Sequence, residues 1–145
     1  MTKLSIKHSL TLELAKTLTG FAILKASELG VGGAIAVVDD GGHLIYLERI
    51  DGTMAAAAGL AIGKAATAVA FKRSGTVLEQ TVTNDRPAMA VLNSASPFPF
   101  VPLKGSYPIE FENQIVGAIA VAGAANAEND EAIALFALEK FKQIL

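Results

Sequence analysis

The stretch Gly33 to Gly52, GAIAVVDDGGHLIYLERIDG, restricts what this chain can fold into more than any other part of it. An unbroken apolar run, Ala34 to Val38, meets four turn-forming residues, Asp39-Asp40-Gly41-Gly42. His43 to Arg49 then follows with the length and the β-branched and aromatic content of a strand. This spacing predicts a β-hairpin. Gly41 and Gly42 supply the positive φ of a tight loop, and both Asp carboxylates can accept from nearby backbone N–H groups.

Upstream, Leu4 and Ile6 alternate with polar residues in an extended lead-in. Ser9 or Thr11 can cap a helix running to Leu29, because Ala15, Leu18, Ala22, Ala26 and Leu29 recur at helical spacing and Gly30 fits the C′ position. Downstream, Thr53 is the expected N-cap of a second helix, Met54 to about Arg73. Gly59 and Gly63 stand four apart on it, a ridge suited to close packing on the sheet or on another subunit. Thr76-Val-Leu-Glu79 has the pattern of a capping box, and Asp85-Arg-Pro87 that of a second helix start. From Asn93 to Pro108 the chain carries four of its five prolines. It is expected as a loop with at most a short edge strand near Phe100 to Leu103.

Ile109 to Phe111 and Ile115 to Val121 then predict a second hairpin, turning at Glu112-Asn113. The run from Ile115 is apolar on both faces, as a central strand covered on each side by helices would be. A last helix begins near Asn126, with acids in its first turn and Lys140 and Lys142 near its end, both matched to the helix dipole. The order predicts a single α+β domain over residues 1–145, three layers in an α/β/α arrangement around an antiparallel sheet of about five strands.

Composition narrows the function. A net charge of −2 with no run of Lys or Arg argues against nucleic acid and anionic membrane as partners. Zero cysteines exclude disulfides, thiolate nucleophiles and Cys-ligated zinc or iron–sulfur sites. The N-terminal stretch lacks the pattern of a signal peptide, so a cytoplasmic protein is expected. Met54 to Phe71 is Ala-rich with Lys64 at its middle, a poor membrane span, since a central Lys costs about 2.5–3.5 kcal/mol. With 52% hydrophobic and only 18% charged residues, part of the apolar surface is expected between subunits of a homo-oligomer.

Few residues can carry chemistry. His43, at the mouth of a strand, can ligate iron or move protons, or simply sit half-exposed at the strand end. His8, where the chain enters the first helix, is either an axial ligand or a surface residue. No His-x-x-x-His or Glu-x-x-His pair occurs, which disfavours an all-protein zinc site. Asp39-Asp40 fits turn geometry better than an acid–base pair. Arg49, beside Glu48 and Asp51, is a solvated strand end or a ligand contact. Lys64 interrupts an apolar helix, so its ammonium either reaches water along its stem or pairs with a carboxylate, a ligand's included. The strand-to-helix turn at Gly123 could hold an anion, but three carboxylates in the next helix's first turn oppose it. No dinucleotide fingerprint, Walker A spacing or nucleophile elbow is present.

Three stretches taken together, IAVVDDGGHLIYLERIDG, IGKAATAVAF and PIEFENQIVGAIAVAG followed by ENDEAIALFAL, resemble the GlcG/HbpS family. This is the haem-degrading or DUF336 domain, which also forms the C-terminal part of PduO-type proteins. The resemblance implies a profilin-like α/β/α fold with a five-stranded antiparallel sheet. It further implies a homo-oligomeric accessory protein that binds a small-molecule ligand, haem or a related tetrapyrrole being one candidate. An alternative it implies is an assembly or accessory factor for cobalamin-dependent diol or glycerol metabolism, without catalysis of its own. The matching positions are Asp39 to His43, Lys64, Gly117, Gly123 and Asp130. Of these, His43, as a metal ligand, and Lys64 are the ones expected to touch a ligand; His8 is the second candidate for iron.

Overall fold

A computed structural model describes residues 2–145. The helix α1, Leu12–Leu29, is capped by the Thr11 hydroxyl, which accepts from the Leu14 amide, and closes on Gly30 at φ 68°. The strands β1, Ala34–Asp39, and β2, Leu44–Arg49, form the first hairpin. There Asp39 Oδ1 accepts from the amides of Gly41 (2.9 Å) and His43 (3.0 Å), which fixes the turn. Of the two turn glycines only Gly42 adopts positive φ, 82°.

The helix α2 covers Ala56–Phe71 and α3 covers Gly75–Gln80, with short helical turns following to α4, Leu92–Ala95. The strands β3, Ser106–Phe111, and β4, Gln114–Ala122, form the second hairpin, and α5, Ala127–Lys142, ends the fold behind the Asn126 cap. Glu112 and Asn113, both at positive φ, make the two-residue turn between β3 and β4.

The four strands form one antiparallel sheet in the order β2-β1-β4-β3. Among the described residues the expected fifth strand does not form. Phe100 to Leu103 lies over α2 instead: the Val101 amide donates to Thr67 Oγ1 at 2.8 Å, and Phe100 packs on Phe71. Pro99 and Pro102 have no N–H to offer a ladder, and of the two amides between them that of Val101 is already spent on Thr67. Pro108 is tolerated because β3 is an edge strand.

The three layers follow from side-chain size on the central strands. Ile35, Val37, Ile119 and Val121 point to one face, where Leu18 of α1 and Phe141 of α5 complete the larger core. Burying a side chain such as Phe141 completely stabilises the fold by about 1.5–3 kcal/mol. The alternate residues Ala34, Ala36, Ala118, Ala120 and Ala122 face α2, which answers with Ala57, Ala61, Ala65 and Ala68. Alanine against alanine lets a helix lie close to a sheet.

Two expected caps move. Thr53 does not cap α2, because its hydroxyl accepts from the Gly33 amide at 2.8 Å and so ties the two loops at that end of the sheet. The cap of α3 is Ser74, two residues before Thr76. Among the described residues no helix is long and apolar enough to cross a membrane.

Candidate functional site

The candidate residues are divided between the two ends of the sheet. Asp39 pairs with Gly117 at one end of the β1–β4 ladder and Ala34 with Ala122 at the other. The histidines belong with the Asp39 end, and Lys64 reaches β4 near the opposite one.

At the first end, β3–β4 holds the N-terminal lead-in through one side chain. Gln114 accepts from the His8 amide (2.9 Å) and donates to the Ile6 carbonyl (3.0 Å), as a neighbouring strand would. This fixes His8 edge-on to Phe111, with ring centroids 4.9 Å apart, and brings His8 Nε2 to 3.0 Å from Glu112 Oε2. The imidazole is half-exposed. It borders two cavities. One, of about 560 Å³, also involves Lys7, Asp40, Lys72 and Ile115. The other, of about 240 Å³, has the apolar walls Leu10, Leu14, Phe111, Val116 and Phe141. Lys7 lies 2.5 Å from Asp40, and this hydrogen bond holds the Asp40 carboxyl below the ordinary Asp value while raising the Lys7 ammonium. His43 is exposed on the outside of the first turn, its ring against Gly41, and borders none of these cavities. Arg49 ends β2 in an exposed position.

At the other end, Lys64 pairs with a carboxylate and does not reach water. Its side chain is 4% exposed, and its Nζ donates to the Val121 carbonyl (2.9 Å) and to Asp130 Oδ2 (3.2 Å). Asp130 Oδ1 in turn accepts from the Ala124 amide at 2.9 Å. The pair forms part of the wall of a cavity of about 590 Å³, bounded by the loops that enter β1, α2 and α5. The other two acids of the α5 first turn are also occupied. Glu128 is largely exposed and 3.8 Å from Lys104, and Glu131 accepts from the Gly105 amide and from the hydroxyls of Thr76 and Tyr107. The three carboxylates expected at the start of this helix are therefore present, each beside a cation or a hydrogen-bond donor.

The carried-over glycines shape the fold. A Cβ on Gly117 would stand 2.3 Å from the Val38 carbonyl oxygen, and one on Gly123 2.7 Å from Ala57 Cβ. Gly63 packs under Val101, whereas Gly59 faces open space. Among the described residues, no group of three or more His, Asp or Glu side chains is placed to hold a metal ion.

Asp130 as the partner of Lys64 has a signal in the sequence that is easy to pass over. It stands at the head of the buried stripe Ile133, Ala134, Ala137, Leu138 and Phe141, at helical spacing. A carboxylate on an apolar stripe needs a cation, and Lys64 on α2 needs an acid. Gln114 as a clip, and Met54 and Leu60 as cavity walls, carry no such signal.

Comparison with known proteins agrees with this fold. The family model of haem degrading proteins of the HbpS-like type matches residues 10–139. GlcG of Escherichia coli K12 is 37% identical over 89 residues, 61% of this chain, which spans 63% of that relative's length. ORFY of Klebsiella pneumoniae, a DUF336 structure, superposes with a TM-score of 0.87 at 26% identity, covering 98% of this chain and 97% of that one. PduOC, solved as a complex with haem, gives 0.82 at 26% identity over 91% and 94% of the two chains.

Proposed function

The chain belongs to the HbpS-like family of haem degrading proteins, and from that membership we propose that it is a cytoplasmic, homo-oligomeric accessory protein that binds haem or a related tetrapyrrole. The observation that carries this reading is the setting of His8. Its half-exposed imidazole stands between an apolar cavity and a second one bordered by Lys7 and Lys72. These residues fit the group by their chemistry. Without cysteine, iron must take His, Tyr or Met, and His8 is the histidine that borders a cavity. Leu10, Leu14, Phe111 and Val116 offer apolar contact, and the two lysines offer cations to acidic substituents. Once bound, haem would supply the iron for redox chemistry. The chain's own part is to present His8, fixed by the Gln114 clip and by Phe111, and to keep water from one face of the ligand.

A hemin titration of the purified protein tests this. The wild type is expected to shift the Soret band with saturation, His43→Ala to behave as wild type, and His8→Ala to lose the saturable shift. Wild-type binding by His8→Ala refutes the assignment. Homo-oligomerisation rests on the exposed Leu4, Ile6, Leu24 and Val91, and a monomer by light scattering at micromolar concentration would contradict it.

A further inference from the structure

The cavity at the Lys64 end is distinct from the histidine end, and we propose that it is a second binding site, for a small monocarboxylate with a short apolar tail. The inference starts from a cation sealed into its wall. Lys64 is 3% exposed, and its ammonium carries three hydrogens. Two go to Val121 O and Asp130 Oδ2, and among the described residues the third meets no acceptor. With two of its three hydrogens placed, the ammonium keeps one to donate to a ligand oxygen in the cavity.

The cavity has room for one. At about 590 Å³ it is far larger than a water site, and Val31, Met54, Leu60 and Leu103 contribute apolar lining to it. The start of α5 adds donors to the polar lining. Asn126 caps the Asn129 amide, so the Ala127 and Glu128 amides have no acceptor within the helix, and Ala127 borders the cavity.

The charges around the cavity limit what enters. Lys64 and Lys104 stand against Asp130 and Glu79, so the lining has no net charge. One added negative charge can share Lys64 with Asp130. A second would face Asp130 or Glu79, with only the partly exposed Lys104, already 3.8 Å from Glu128, to meet it, which disfavours dicarboxylates and phosphate. The proposal does not depend on haem binding at His8.

The test is a titration of the ¹⁵N-labelled full chain with n-butyrate, butyramide, succinate and phosphate, followed by amide shifts. Butyrate is expected to move Gly123, Ala125 and Ala127 with saturation, and the other three compounds to bind roughly tenfold more weakly or not at all. Leu60→Trp enlarges the apolar lining and leaves the Lys64–Asp130 pair in place. It is expected to weaken butyrate by at least about tenfold. Lys64→Met is expected to abolish binding, and Leu60→Trp carries the test if that variant does not fold. No saturable shift at tens of millimolar, equal binding of butyramide, or unchanged binding by Leu60→Trp would each overturn the proposal.

Discussion

Breaking the Lys64–Asp130 pair is the sharpest test of how this fold is held together. The two side chains are 4% and 10% exposed, so neither charge can turn to bulk water when its partner is removed. Removing one member of such a pair costs about 3–5 kcal/mol, most of it the burden of the stranded charge. The two single variants are not equivalent. In Asp130→Ala the ammonium keeps only the Val121 carbonyl, and about 4 kcal/mol is expected. In Lys64→Met the carboxylate keeps the Ala124 amide and lies in the first turn of α5, where the helix dipole favours an anion. About 3 kcal/mol is expected there. The double variant Lys64→Met/Asp130→Ala strands no charge, only the Ala124 amide that Asp130 accepted from, and should cost less than either single change. Urea unfolding of all four proteins closes the cycle, with slopes that should agree if the native and denatured states keep their compactness. Additive single effects, or single effects below about 1 kcal/mol, would refute the view that the pair acts as one unit.

Two further outcomes are expected. Gly117→Ala puts a Cβ 2.3 Å from the Val38 carbonyl oxygen on the central ladder, where neither strand can yield, and should destabilise by about 2–3 kcal/mol in the same urea assay; a neutral result would mean that the ladder spreads. Asp40, whose carboxyl is held low by its hydrogen bond to Lys7, contributes stability that is present above the ordinary Asp pKa of about 4 and is lost as pH falls through its lower folded value. In Lys7→Ala the Asp40 titration followed by carbon NMR should return to the ordinary range, and an unchanged midpoint would remove Lys7 as the cause.

Much of the fold was legible because local rules and tertiary demands agree. Thr11, Gly30 and Asn126 cap where their chemistry requires it, and the doubly apolar run from Ile115 is the covered central strand it resembles. Misreadings occurred where a polar side chain had two possible local uses. Thr53 could cap α2 or clip Gly33, and only the approach of the two loops selects the clip. Val101 could enter a ladder or bond to Thr67, and the prolines on either side favour the latter. At the candidate sites, the sequence picked out His8, His43 and Lys64 by residue type but could not group them, because grouping depends on which end of the sheet each chain segment reaches.

The sequence by itself determined the two hairpins, the long helices that flank them and the absence of cysteine chemistry, since these follow from periodicity, turn residues and composition. Tertiary structure alone decided that Lys64 meets Asp130 across 66 positions of chain, that Gln114 ties down the His8 segment from 106 positions away, and that Phe100 to Leu103 covers α2 instead of extending the sheet. A buried charge or an unpaired amide must find a partner, and which partner lies within about 3 Å is fixed by packing rather than by neighbours in the chain.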